Sequence, residues 1–234
     1  MEPRSPIVLV GGLNTWPFRY RKFARLLEEA AGRRVFVAGI NPLDWLWGRI
    51  SGYGQLIFQV ATAVDRALLE AGAERAVLVG HSAGGIACRV YLGGDPPYGG
   101  RRYSGHRRVS HLITLGSPHR VAEKRPLAPI LEVDRLFPGC PHEPQIEYVS
   151  VAGSAVDGAK SWLARKRYER LVEDGRVPGD GAVPAECAVL PGSRAVVLDD
   201  VRHAPISRGK WYGEDRETIL RWWPESLLAG EDGA

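Results

Sequence analysis

Ser82 lies in Gly80-His81-Ser82-Ala83-Gly84-Gly85, with one glycine two residues before it and another two residues after. The segment follows the β-branched run Ala76-Val77-Leu78-Val79 and leads into Ala-Cys-Arg-Val-Tyr-Leu (87–92), which reads as a helix. A sharp strand-to-helix turn strains the backbone at its apex, and glycines on either side relieve the crowding. Such a turn lifts a hydroxyl to the edge of a sheet, above helix N–H groups that favour developing negative charge. That setting suits nucleophilic attack by the serine. The bland alternative is a glycine-rich turn with a capping serine.

A serine hydroxyl is a poor nucleophile near neutral pH and needs a base, which in turn needs a carboxylate to orient it. In this strand-turn-helix setting the partners follow in the order Ser, Asp/Glu, His. Six histidines are available: His81, His106, His111, His119, His142 and His203. His81 neighbours the serine and is expected to point off the opposite side of the turn. His106 and His111 fall at the far end of the sheet. His119, His142 and His203 leave strand carboxyl ends or lie in a long loop, and His203 comes just after the last strand, where the chain order requires the base.

Spacing leaves the acid open among Asp157, Asp174, Asp180, Asp199 and Asp200, with Asp134 and Glu143 in the long loop. Asp199 and Asp200 are too near the base's own strand to reach around it easily. Asp157 follows the run Tyr148–Ala152 and is geometrically reasonable. Asp180 is flanked by glycines that suit a tight turn. Negative charge developing on a substrate oxygen needs two backbone donors. Ala83 N–H, directly after the serine, is one. Gly11 and Gly12 let the loop after the first strand approach closely, and Leu13 N–H is the second.

The elements that must carry these residues are short apolar runs separated by helix-length segments, the pattern of a parallel α/β sheet. The runs are Ile7–Val10, Val35–Ala38, Ala76–Val79, Leu112–Leu115, Tyr148–Ala152 and Ala195–Leu198. Apolar residues at helical spacing predict helices over 18–31, 54–71 and 82–92, with a charged helix over 161–173 and a closing one over 217–228. One α/β domain therefore spans 1–234. Within it, 117–145 is a proline-rich insertion that leaves the carboxyl end of a strand, where open α/β sheets place ligands, and it reads as a lid. The Gly/Pro/Arg-rich stretch 93–108 returns to the amino end and should lie away from the chemistry.

Length and composition exclude several other classes. A chain of 234 residues with 44% hydrophobic and 25% charged residues is long and apolar enough for a real core. No apolar run approaches the ~20 residues of a membrane span, so stable membrane insertion is not expected. The net charge of +4 is too small to demand a polyanion, and no nucleic-acid motif accompanies the basic loop 98–108. Cys88, Cys140 and Cys187 have no metal-like spacing and an odd count, so neither a metal nor a disulfide framework is expected. The odd, unpatterned cysteines lead us to expect a reducing, cytoplasmic context, and the N-terminus runs straight into the first strand without room for a secretory segment.

With these motifs in place, the chain resembles the lipase-like branch of the α/β-hydrolase superfamily. More narrowly, it is similar to plant and cyanobacterial esterase/lipase-type proteins related to triacylglycerol lipases and GPI-inositol-deacylase-like enzymes. The resemblance covers nearly the whole chain and rests on PIVLVGG, VGHSAGG, LITLGSPH, GDGAVP and DDVRHAP. It implies a compact, mostly parallel sheet of about six strands with helices on both faces, lacking the fold's first antiparallel strands. It also implies Asp180 as the acid and His203 as the base. Gly11-Gly12 stands where many lipases have His-Gly, a departure that bears on the second oxyanion donor alone.

The implied activity is hydrolysis of carboxylic esters with hydrophobic, lipid-like acyl groups through an acyl-enzyme, without a cofactor. Trp16, Phe18, Trp45, Leu46 and Trp47 follow strand ends, and Leu127, Ile130, Leu131, Leu136 and Phe137 sit in the insertion. Together they predict an apolar pocket under a cover. The partner is then a small hydrophobic ester, with at most transient contact with a lipid surface. The same residue set serves thioesterases and acyltransferases. The reading from a different class is a catalytically silent binding module of this fold.

Overall fold

A strand covered by helices on both faces must be apolar on both, and the short runs supply that. The computed structural model describes residues 4–122, 128–205 and 209–228. Six runs form one sheet: β1 (Ile7–Val10), β2 (Val35–Val37), β3 (Ala76–His81), β4 (Val109–Leu115), β5 (Glu147–Gly153) and β6 (Arg194–Leu198). Their order is β2-β1-β3-β4-β5-β6, and every neighbouring pair is parallel. This is the fold expected of the sequence, a single domain with a six-stranded parallel sheet and helices on both faces.

Alternation along each strand divides the core in two. Val8 and Val10 of β1 face one side with Leu78 of β3, under α3 (Gly54–Ala71) and α4 (Ala83–Leu92). Ile7 and Leu9 face the other side with Val77 and Val79, under α1 (Arg21–Ala31) and α7 (Arg216–Trp222). α1 buries Phe23, Leu27, Ala30 and Ala31 and ends at Gly32 in the left-handed conformation. Each large apolar side chain buried in this way contributes about 1.5–3 kcal/mol.

Four elements differ from expectation, among them the closing helix, which stops at Trp222 ahead of Pro224 rather than at 228. Residues 42–51, which carry no expected helix, form α2 (Pro42–Ser51). There Asn41 accepts from Leu43 N–H while Asp44 accepts from Asn41 N–H, a reciprocal cap. The insertion 117–145 is not wholly irregular, because it contains α5 (Ala128–Leu136). Leu127, expected in the cover, lies outside the described residues. The charged helix is α6 (Trp162–Tyr168), capped by Ser161 and shorter than the charge pattern suggests.

The strand order reverses between β1 and β3, so the loops after these two strands part to opposite faces and leave a crevice at their carboxyl ends. Ser82 follows β3 and Gly11-Gly12-Leu13 follows β1. Beyond β5 and β6, two small strand pairs fix the remaining loops. Val156–Asp157 lies antiparallel to Pro178–Gly179, and Val201–Arg202 lies parallel to Lys210–Trp211. Asp180 and His203 each follow the end of one of these short strands. Among the described residues, no helix is long and apolar enough to cross a membrane.

Candidate active site

Ser82 has φ 54° and ψ −129°, backbone angles that only strong surroundings impose on a non-glycine residue. Those surroundings are close-packed. A Cβ on Gly80 would meet the backbone of Gly84 and Gly85, and one on Gly84 would meet the carbonyls of Val10 and Gly11. Glycine at these two positions lets β3 turn into α4 while packing directly on the loop after β1. The Ser82 N–H is held by the carbonyl of Leu115 at 2.9 Å.

His203 Nε2 lies 3.0 Å from Ser82 Oγ, and His203 Nδ1 lies 2.7 Å from Asp180 Oδ2. Three residues distant in sequence thus form one continuous hydrogen-bonded relay. A carboxylate accepts only, so Nδ1 carries a proton and Nε2 is left to accept from the serine hydroxyl.

Asp180 is buried, and four donors surround it. Ala182 and Val183 N–H reach Oδ1 at 2.9 and 2.8 Å, while Tyr212 Oη–H reaches Oδ2 at 2.9 Å beside His203. Burial pushes its carboxyl up. His203 and the N–H groups of Val183 and Ala182 outweigh burial and hold the pKa below the usual value. Tyr212 is kept protonated by its own burial and then by the adjacent Asp180, and Gly153 N–H donates to its oxygen at 2.8 Å. Tyr212 has no motif of its own in the sequence, and only the fold brings it here.

The other aspartates and histidines are engaged elsewhere. Asp157 accepts from Ala159 N–H at 2.8 Å and sits 3.8 Å from Lys160. Asp174 accepts from Arg176 N–H, and Asp199 and Asp200 pair with Arg221. Asp134 lies 3.3 Å from the buried guanidinium of Arg89, which also donates to Phe137 O and so fastens α5 onto α4. His119 is buried against Thr114 and Arg89, and His142 bonds to Gly93 O. His106 bonds to Leu92 O, and His111 lies beside Ser110 and Glu147.

His81 corrects one expectation. It does not point away from the site: its ring centroid is 4.9 Å from that of His203. Strand alternation holds: His81 shares the face of Val77 and Val79, where Tyr20, Trp211 and Tyr212 pack, and the loop after Val201–Arg202 brings His203 to that same side. His81 Nε2 donates to the carbonyl of His203 at 2.8 Å, and Nδ1 accepts from Tyr20 Oη–H at 2.8 Å. Tyr20 Oη in turn accepts from Gly12 N–H at 2.8 Å. Burial, then the charge of nearby His203, depress the His81 pKa to about 3, so this chain of bonds is held by a neutral ring. It links the loop after β1 to the backbone of His203. It also occupies Gly12 N–H, leaving the N–H of Leu13 as the next donor along that loop.

Leu13 and Ala83, the two expected oxyanion residues, both line an apolar cavity of about 160 Å³. The cavity follows α4 past Ile86, Ala87 and Val90, a run of about 10 Å at 1.5 Å per residue. Trp45 walls it from α2, and Ile130 and Val133 wall it from α5. Tyr98 lines it as well, so part of the basic loop 93–108 reaches the site after all: the cavity runs far enough down α4 to meet that loop. Leu136 and Phe137, expected in the cover, pack in the core instead. Among the described residues, no cluster of histidine, cysteine or carboxylate side chains could hold a metal ion.

No family model matches the chain, and no curated protein matches it. Solved structures do match. Dienelactone hydrolase from Anabaena variabilis is 14% identical over 94% of this chain and 85% of that one, with a TM-score of 0.50. A CIB-like hydrolase from Thermoplasma acidophilum is 17% identical over 94% and 84%, with a TM-score of 0.45. The pyrethroid hydrolase PytH is 25% identical over 50% of this chain, with a TM-score of 0.35, and the match spans only 41% of that protein's length. The likeness to the dienelactone hydrolase shows a shared fold.

Proposed function

We propose that this chain is a serine hydrolase that cleaves carboxylic esters of hydrophobic acyl groups. The observation that carries the reading is the unbroken relay from Ser82 Oγ through His203 to Asp180, beside an apolar cavity. Ser82 Oγ attacks the acyl carbonyl while its proton passes to His203 Nε2. Asp180 holds the Nδ1 proton and stabilises the imidazolium that forms. The oxyanion is received by the N–H groups of Leu13 and Ala83. His203 then gives its proton to the departing alcohol and takes one from the water that releases the acyl group.

The fold shared with named hydrolases supports a hydrolytic reading, and the GDGAVP and DDVRHAP segments support the lipase-like branch within it. Exposed Leu13, Trp16, Phe18, Leu46 and Trp47 surround the carboxyl end of β1 and β2 and suit a hydrophobic ester or brief contact with a lipid surface. Helix α5 serves as the cover of the cavity.

The test is turnover of p-nitrophenyl esters graded by acyl length, by the native protein and Ser82→Ala. Native turnover should peak at a medium-length acyl group and vanish in the variant. Ester hydrolysis that persists in Ser82→Ala contradicts the reading.

A further inference from the structure

The Ser82–His203 pair has two unlike sides. On the Ala83 side lies the apolar cavity. On the other side of His203 is a separate cleft of about 410 Å³, walled by His203, Ala204, Gly181, Ala182, Arg167 and Arg202 among others. Arg167 projects from the end of α6, and its Nη1 donates to Gly181 O at 3.0 Å, which sets the guanidinium over the Asp180 turn. Arg202 precedes His203 in the short strand Val201–Arg202. Arg167 and Arg202 both line this one cleft.

Neither arginine is paired with a carboxylate among the described residues. Asp180, the carboxylate that lines this cleft, has both oxygens taken by His203, Tyr212, Ala182 and Val183. Two guanidiniums lining one cleft with donors to spare match the oxygens of a carboxylate or a phosphate, which a guanidinium can grip in bidentate fashion.

The direction of the reaction decides which part of a substrate reaches them. His203 Nε2 protonates the departing oxygen, so the alcohol half of the ester leaves along the His203 wall while the acyl half occupies the cavity beside Ala83. We infer that the Arg167–Arg202 cleft binds an anionic group on the alcohol half, making the preferred substrate an amphiphile: an apolar acyl chain esterified to an alcohol that bears a carboxylate or phosphate. This inference rests on the ester-hydrolase reading and adds the charge of the leaving group.

The experiment compares three esters of one acyl chain: 1-octanoylglycerol, 1-octanoylglycerol 3-phosphate and 3-octanoylglycerate. The cleft predicts a kcat/KM for at least one anionic ester about tenfold above the neutral one at low salt, the scale of one charge-assisted contact. That ratio should shrink as ionic strength rises and fall toward one in Arg167→Gln/Arg202→Gln. The phosphate and glycerate arms separate the two anion sources. Equal kcat/KM for all three esters, or a preference that survives the double substitution, overturns the inference while leaving the ester hydrolase intact. Calorimetric binding of the same three esters to Ser82→Ala decides the cleft independently of turnover. Tighter binding of an anionic ester that is lost with both arginines upholds it, and equal binding of all three refutes it even if no ester is hydrolysed.

Discussion

Tyr212 donates its hydroxyl to Asp180 Oδ2 at 2.9 Å, the same oxygen that His203 Nδ1 approaches at 2.7 Å. The tyrosine is itself anchored by Gly153 N–H at the carboxyl end of β5. The orientation of the acid is therefore set by the sheet as well as by its own turn. Removing the hydroxyl in Tyr212→Phe takes away a bond to a charged group, an effect of about 1.5–3 kcal/mol. We expect kcat on p-nitrophenyl butyrate to fall tenfold or more with KM little changed, on the scale of that bond. Steady-state kinetics alongside circular dichroism check this. An undiminished kcat in a folded variant would mean that Ala182 and Val183 N–H orient Asp180 unaided.

The acid itself gives a sharper contrast. Asp180→Asn removes the charge that stabilises the imidazolium and disturbs the tautomer, a loss on the order of 10⁴ in kcat in a relay of this kind. Asp157→Asn should leave kcat near the native value, since Asp157 is taken up by Ala159 and Lys160. Single-point kinetics on both variants decide between them, and the reverse ranking would reassign the acid.

Neutral His81 makes stability depend on pH with a definite sign. Its folded pKa is about 3 against an ordinary 6.5, so between those values the unfolded chain binds a proton that the folded protein refuses. Stability therefore falls as pH drops from 6.5 toward about 3, by a few kcal/mol in all, and this contribution levels off below that. Asp180 adds a loss at the acid end: its depressed pKa contributes stability above the ordinary carboxylate value, lost as pH falls through the folded value. Thermal melts across this range should show Tm declining with acidity, with a shallower decline in His81→Gln. Parallel curves for the two proteins would remove His81 from the account.

Cavity length should govern acyl preference. Ala87 lies on the wall about a turn beyond Ala83, and Ala87→Leu would fill the cavity beyond that point. The ratio of octanoyl to acetyl ester kcat/KM should drop about tenfold, the scale of a few excluded methylenes. Chain-length profiles of the two proteins check it, and an unchanged profile places the acyl group elsewhere.

Much of this site is legible in the sequence because its parts have local causes. Gly80, Ser82 and Gly84 belong to one turn, and the apolar strand runs fix which ends carry loops. Tyr20 and Tyr212 are invisible at that level, since each meets its partner across more than thirty residues or from another layer of the fold, with no spacing to announce it. α2 is different. Asn41-Pro42-Leu43-Asp44 is a helix-start signal, but apolar residues on both the buried and exposed faces (Trp45 inside, Leu43, Leu46, Trp47 and Ile50 outside) blur the single stripe expected of a surface helix. His81 joins the site for a reason no local pattern shows: the loop carrying His203 returns over the strand face that His81 shares with Val77 and Val79.

The central claim is that the hydroxyl of Ser82 is a nucleophile activated by His203. Reaction with a fluorophosphonate, followed by peptide mass mapping, tests it most directly. The account predicts one phosphonate per chain, on Ser82, formed rapidly in the native protein and slowed by orders of magnitude in His203→Ala. No adduct on Ser82, or labelling that proceeds as fast without the imidazole, would contradict it.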